Sequence, residues 1–209
     1  MGVELLSLEP RIDLAILAVP GARLVSVLTD GEVIGDFKPA IYALVGGESV
    51  FNSFTPLAQV LLDAADPGSY APYVLGELRA EMIGDSQRPP PHVLMQIAMN
   101  DDVVPNSAND ALARALDLPH LEQRAQPIPM LTATEAPVLG NMSGRTAGVF
   151  QFDRVTVGPQ KLEPSDHMNA PTGREGRHQA REFIKTWLSD GTPEIVDPYA
   201  VFNVPPLYP

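Results

Sequence analysis

The chain has 209 residues, a length that suits one domain or a large part of one. Apolar residues make up 44% and charged residues 19%, which excludes a disordered acidic tail and a fibrous chain. Lys and Arg number 14 against 26 Asp and Glu, a net charge of −12 that argues against non-specific nucleic-acid binding and docking on anionic lipid, since both need cations.

Residues 2–9 read as the end of a helix, with Val3, Leu5, Leu6 and Leu8 apolar and Pro10 as its stop. Ile12 to Val19 is a nearly unbroken apolar run, the pattern of a strand covered on both faces in a parallel sheet. Pro20-Gly21 ends it. Residues 22–90 hold helical patches between breakers at Gly31, Gly35, Pro39, Gly46-Gly47, Pro56, Pro67-Gly68 and Pro72. Leu57–Leu62 is one such patch. The stretch is expected to be an insertion over one end of the sheet, as lids are.

Pro89-Pro90-Pro91 leads into a second apolar strand, Val93 to Met99, followed by a polar turn over 100–106. Ser107 is predicted to cap a helix whose apolar positions are Ala108, Ala111, Leu112, Ala115 and Leu116. A Pro-rich connection, 119–145, comes next. Gly148 to Val157 alternates, with Phe150 and Phe152 against Gln151 and Asp153, and reads as a half-exposed strand. Arg174 to Leu188 is the clearest helix, with one stripe formed by Ala180, Phe183, Ile184, Trp187 and Leu188. The tail, 191–209, carries Pro193, Pro198, Pro205, Pro206 and Pro209 and is expected to lie extended on the surface.

Apolar strands separated by helices give an α/β fold with a mostly parallel sheet. Three strands are visible, which is a small sheet. No run reaches the ~18 apolar residues of a membrane span. Met1-Gly2-Val3-Glu4 does not begin a signal peptide, and the compartment stays open. There is no cysteine, so disulfides, thiolate chemistry and cysteine-ligated metals are excluded. The four histidines show no metal-binding spacing, and the glycines match neither a dinucleotide-binding nor a P-loop pattern.

In open α/β sheets, ligands bind beyond the carboxyl ends of the strands. Two segments fit that place: Asn100-Asp101-Asp102-Val103-Val104-Pro105-Asn106 and Ser165-Asp166-His167-Met168-Asn169. A carboxylate and an imidazole on neighbouring loops can form the Asp–His half of a catalytic triad. The bland alternatives are an acidic turn that caps the next helix and a surface histidine. His178, beside Arg177 and Arg181, reads as a solvated helix-face residue, and His92 and His120 as structural.

The run Val93–Asn106, ending in Asp-x-x-Val-Pro, resembles the acid turn of α/β-hydrolases, and His167 before the last amphipathic helix resembles their catalytic histidine. Val19-Pro20-Gly21 and the segment from Ala58-Gln59 to Asp66-Pro67 are similar to bacterial lipase/esterase-type members. The likeness covers nearly the whole chain but only the C-terminal half of that fold. It implies Asp101 as the acid, with Asp102 as runner-up, and His167 as the base. It further implies a carboxylic-ester hydrolase working through a serine acyl-enzyme, without a cofactor, on a small-molecule or lipid ester. Residues 1–209 would form a single domain, with 24–88 as a lid-like insertion over the acyl pocket. Val45, Val50, Phe51, Phe54, Leu57 and Val60 would line that lid, or serve as ordinary core.

The sequence departs from the family at the nucleophile. No Gly-x-Ser-x-Gly elbow occurs, although chain order requires its serine before the first strand. Met1-Gly2 and the helix after it look like the end of an elbow, and the oxyanion loop would precede that. Ser49, Ser143 and Ser165 are poor substitutes. Two rivals follow: an inactive hydrolase fragment or binding module, and a chain that pairs with another polypeptide supplying the rest of the sheet. A parallel sheet cut through its middle leaves an unpaired apolar edge and predicts self-association.

Overall fold

The computed structural model describes residues 1–205 except 77, 86, 123, 124 and 160. The chain opens with α1 (Gly2–Leu8) and β1 (Leu14–Ala18). A helical excursion follows: α2 (Leu24–Asp30), α3 (Glu32–Gly35), α4 (Lys38–Val45), α5 (Glu48–Leu62), α6 (Pro67–Tyr70), α7 (Pro72–Leu75) and α8 (Arg79–Ile83). Then come β2 (His92–Ala98), α9 (Asn106–Ala115), β3 (His120–Leu121), β4 (Ala133–Thr134), β5 (Val138–Leu139) and β6 (Ala147–Phe152). The chain continues with β7 (Arg154–Val157), β8 (Lys161–Pro164), α10 (Asn169–Thr172), α11 (Arg174–Asp190), β9 (Glu194–Ile195) and α12 (Pro198–Phe202).

The fold is α/β, built on a five-stranded parallel sheet in the order β1-β2-β6-β3-β4. In register, Leu14 lies beside His92, and Val93 beside Ala147. Strand β2 alternates between the two faces. Val93, Met95 and Ile97 join a core with Leu112 and Leu116 of the α9 region and Val3 and Leu6 of α1. Leu94 and Ala98 join a second core with Phe150, Phe152, Phe183, Ile195 and Tyr199. Both faces are therefore covered, and β2 and β6 are buried throughout.

Two strands more than expected enter the sheet, because the Pro-rich stretch 119–145 contributes β3 and β4, two residues each. Too short to show periodicity, they exist by pairing with β6 and with each other. The expected half-exposed strand 148–157 is corrected to two elements. Strand β6 is fully buried; its polar Gln151 accepts the Gln126 N–H at 2.9 Å. Past Asp153, β7 leaves the sheet and pairs antiparallel with β8.

Ser107 is not the cap of α9; Pro105 holds that position and no side chain caps it. The apolar stripe expected on the long C-terminal helix is also corrected. Ile184 and Leu188 of α11 are exposed, and the buried face carries Glu175, Gln179 and Phe183. Polar groups of β2 and β7 meet this face of the helix. Gln96 in β2 donates to Gln179 Oε1 at 3.1 Å, while Thr156 in β7 donates to Glu175 through its amide and its hydroxyl. Gly176 lets the helix approach α10 closely, since a Cβ there would lie 2.0 Å from the Ala170 carbonyl oxygen.

The expected surface tail is not one over its described length. Strand β9 pairs with β5, and Ile195, Tyr199 and Val204 are buried. The Tyr199 hydroxyl accepts the amide of Asp153, and it lies 2.9 Å from Asp153 Oδ1 and 2.7 Å from the Arg154 carbonyl as acceptors. Pro206 and Pro209 of that tail lie outside the described residues.

Strand β1 is covered on both faces, as its apolar run predicts: Ala15 and Leu17 meet one core, Leu14 and Ile16 the other. It is nevertheless an edge strand, pairing among the described residues with β2 alone, and Leu14, Ala15 and Ile16 are half-buried. Within the excursion, Ala71 and Val74 join the core, whereas α2, α4 and α5 pack less deeply. Helix α5 has no buried residue, and Phe54, Leu57 and Val60 are more than half exposed, so the ordinary-core alternative for them falls. Pro56 is tolerated inside α5 because Thr55 Oγ1 donates to Asn52 O at 2.9 Å, the carbonyl that a residue-56 amide would have satisfied. Among the described residues no helix is long and apolar enough to cross a membrane.

Candidate active site: an Asp–His pair at the sheet's carboxyl end

Asp101 lies two residues beyond Met99, which follows β2. Its Oδ1 accepts the amides of Val103 at 2.8 Å and Val104 at 2.7 Å, folding 101–104 into an Asx-type turn. Gly21, after β1, packs against that turn: a Cβ there would lie 2.6 Å from Val104 Cγ1. The α2–α3 junction reaches the same place, since the Glu32 amide donates to Asp102 O at 3.0 Å.

His167 lies on the loop that follows the β7–β8 hairpin. Its Nδ1 stands 3.0 Å from Asp101 Oδ1 and 2.9 Å from Oδ2. A carboxylate only accepts, so Nδ1 carries a proton, and in the neutral ring Nε2 then presents a lone pair. The Asp101 side chain is fully buried and that of His167 is 25% exposed, so the acid is shielded while the imidazole is reachable. Asp102, the runner-up acid, is exposed, and its side chain makes no hydrogen bond among the described residues.

Ser165 ties the two loops together. Its hydroxyl accepts the Met99 amide at 3.0 Å and donates to the Phe152 carbonyl, and its own carbonyl accepts the Asn100 amide at 3.2 Å. One buried serine thus joins the end of β2, the end of β6 and the loop of His167. Next to it, Asp166 accepts the amides of Met168 and Asn169 and fixes the turn into α10. Sequence reasoning weighed Ser165 only as a nucleophile. Both of its hydroxyl functions are taken by backbone, so that role does not fit. Its actual partners lie 66 and 13 residues away, beyond any local pattern.

The other two serines lie elsewhere. Ser49 is exposed in the first turn of α5, and Ser143 is exposed in a turn with φ +51°. Among the described residues, no hydroxyl hydrogen-bonds to Nε2 of His167.

The helical excursion is held at its root by Asp66, the N-cap of α6. Its carboxylate accepts the amides of Arg23 at 3.0 Å, Leu24 at 2.7 Å and Gly68 at 2.8 Å, and the Gln59 amide group at 2.8 Å. Burial alone would raise this carboxyl. The donors from Gln59, Leu24, Gly68 and Arg23 together outweigh it and hold the group below its ordinary value. Between α2, α4 and α5 lies an apolar cavity of about 240 Å³, lined by Val25, Leu28, Ile41, Phe51, Phe54 and Ala58 among others.

The remaining histidines do structural work. His92 opens β2, and its Nδ1 accepts the Thr146 amide at 2.9 Å, tying β2 to the start of β6. Burial, and then the Arg145 charge beside it, push its pKa down to about 4. His120 is buried within β3, and His178 stacks edge-on to Phe202 with centroids 4.9 Å apart. Among the described residues, no group of three or more His, Asp or Glu side chains is placed to hold a metal ion. The chain matches no protein-family model, no curated protein and no solved structure.

Proposed function

We propose that Asp101 and His167 are the acid and base of a carboxylic-ester hydrolase of the α/β-hydrolase kind, and that the chain represents the C-terminal portion of that fold. The observation that carries the reading is the hydrogen bond from His167 Nδ1 to a fully buried Asp101 carboxylate that two backbone amides fix in place. In this reading Asp101 holds the tautomer and stabilises the imidazolium. Nε2 takes the proton of an attacking hydroxyl and returns it to the leaving alcohol. The parallel arrangement of β1, β2 and β6, with Asp101 beyond β2 and His167 beyond the β7–β8 hairpin that follows β6, suits that chemistry. The excursion 24–88 would serve as the lid, and the apolar cavity between α2, α4 and α5 would take the acyl chain.

The test is hydrolysis of p-nitrophenyl acetate and butyrate by the 209-residue chain, beside His167→Ala and Asp101→Asn. A rate that falls to the buffer background in His167→Ala, and falls partly in Asp101→Asn, supports the reading. Rates above the buffer background and equal in all three proteins remove it, and a parent at the background favours the second reading below.

A second reading has its own observation. Among the described residues, strand β1 is paired on one side only and no hydroxyl meets Nε2 of His167. A binding module, or a chain that completes its site with a second polypeptide along β1, explains both. Size-exclusion chromatography that shows a stable monomer counts against the pairing version.

A further inference from the structure

Helix α5 has an inner and an outer face. On the inner one, Phe51, Thr55 and Ala58 line the cavity shared with α2 and α4. Gln59 pins that orientation: its Oε1 accepts the Val25 amide at 3.2 Å, and its Nε2 donates to Asp66 Oδ2 at 2.8 Å. The rotation of the helix about its axis is therefore set by polar bonds to its neighbours.

The outer face is apolar. Val50, Phe54, Leu57 and Leu61 are all exposed, and they recur at intervals of four, three and four residues. With 3.6 residues per turn, those positions form one stripe along the helix, and Val60 widens it. Val60 is 65% and Leu61 75% exposed, so no described element covers the stripe. An amphipathic helix ordinarily turns such a stripe to its own core. The four–three–four interval is the one at which side chains seat between those of a second helix.

Charge selects the partner. From Ser49 to Leu62 no residue is charged, although the chain carries −12. By the helical period Glu48 falls on the side of Asn52 and Gln59, and Asp63 is held to Gln59 at 2.9 Å, so both stay off the stripe. The stripe offers no cation to an anionic membrane or an acidic partner and no carboxylate to a basic one. Two copies of so acidic a chain repel wherever their carboxylates meet, and here they can approach without that repulsion. An antiparallel pair also opposes the helix dipoles favourably, with Phe54 of each copy meeting Leu57 of the other and Val50 meeting Leu61.

The area suffices for a weak pair. The five side chains expose on the order of 500 Å² per copy, at the upper end of the patches found on monomers. Two copies bury on the order of 1,000 Å² together, the lower limit for a specific interface.

We propose that two copies of this chain pair through the outer face of α5, helix against helix, in a reversible dimer. The pairing is independent of Asp101 and His167. It leaves the β1 edge free, so variants of the stripe also separate it from pairing along β1.

The test is sedimentation velocity of the full chain from micromolar to millimolar concentration. The parent is expected to pass from monomer to dimer within that range, and Leu57→Glu and Leu61→Glu each to weaken the dimer at least tenfold. Both side chains are exposed, so the melting temperature should remain that of the parent. Asn52→Glu adds the same charge at an exposed position off the stripe and is expected to leave the dimer intact. Because the chain has no cysteine, Leu57→Cys carries a single thiol, and mild oxidation should link two copies through it but not through Asn52→Cys. A monomer at every concentration, whether or not it binds phosphatidylcholine vesicles, overturns the proposal. So does a dimer that both stripe variants leave intact, or oxidation that links Asn52→Cys as readily as Leu57→Cys.

Discussion

The hydroxyl of Ser165 accepts the amide proton of Met99 at 3.0 Å, and with the bond from the Asn100 amide to the Ser165 carbonyl it sets the spacing of the loops that carry Asp101 and His167. Two residues after Met99 comes Asp101, and two residues after Ser165 comes His167. The 2.9 Å contact between them thus rests on a buried polar clasp rather than on the flexibility of two loops.

Replacing that serine tests the clasp. Ser165→Ala removes the hydroxyl's bonds to the Met99 amide and the Phe152 carbonyl, which keep their direct bond to each other at 2.9 Å, at a net cost of about 1 kcal/mol. Urea unfolding should show a lower midpoint. The Nδ1 proton signal of His167 should also broaden or vanish, because the loop no longer holds the imidazole against Asp101. A sharp, unshifted signal would show that the two loops position themselves without the clasp.

Asp66 anchors the helical excursion through four hydrogen bonds. Asp66→Ala removes them all, and bonds to a charged acceptor are worth about 1.5–3 kcal/mol. Amide exchange should accelerate across α2 and α5 and stay unchanged in β2 and β6, since the excursion opens as its own unit. Uniform acceleration across the whole chain would instead assign Asp66 to global stability.

Acid should destabilise the protein in two stages. His92 has a folded pKa of about 4 against an ordinary 6.5, so the unfolded chain binds its proton first. Stability therefore rises with pH between about 4 and 6.5, and falls as pH drops through that window. In Glu175, burial works upward, but the bonds from Thr156 and Arg174 bring the carboxyl below its ordinary value, as the donors of Asp66 do there. Carboxyls lowered on folding stabilise above their unfolded pKa, and this contribution is lost as pH falls through the folded one. The second stage hence begins near the ordinary carboxyl values of 3.8 and 4.5 and extends below them. Urea midpoints measured against pH should show both stages. His92→Gln, which keeps an acceptor for Thr146, should flatten the first and leave the second.

Gly176→Ala probes the close approach of α11 to α10. Its Cβ would lie 2.0 Å from the Ala170 carbonyl, so backbone must move, and overpacking of this kind costs about 1–3 kcal/mol or more. Thermal unfolding should shift down by several degrees. An unchanged melting temperature would mean that α10 yields freely.

Much of the molecule was legible from local pattern. The apolar runs containing β1 and β2, the helix α9 and the helix α11 all announce themselves through periods of 2 or 3.6 or through unbroken apolarity. Asp101 and His167 also stood out, as an acid and an imidazole on post-strand loops. What stayed hidden was set by partners distant in the chain. Strands β3, β4 and β9 are two residues each, too short for any period. The apolar stripe of α11 misled because Gln96 and Thr156 offered hydrogen bonds that outweighed Ile184 and Leu188. Tyr199 went unseen in a Pro-rich tail, although its hydroxyl sits between Asp153 and Arg154.

The sequence by itself determined the α/β class, the long helical excursion, the absence of thiol chemistry and the two loops that carry Asp101 and His167. Each of these rests on residue type or spacing within about twenty positions. Only the tertiary structure decided that β1 is an edge, that five strands share the sheet, that Ser165 joins the loops and that Asp66 holds the excursion. Those outcomes depend on which buried donor meets which acceptor across tens of residues, a choice made when the chain packs and not before.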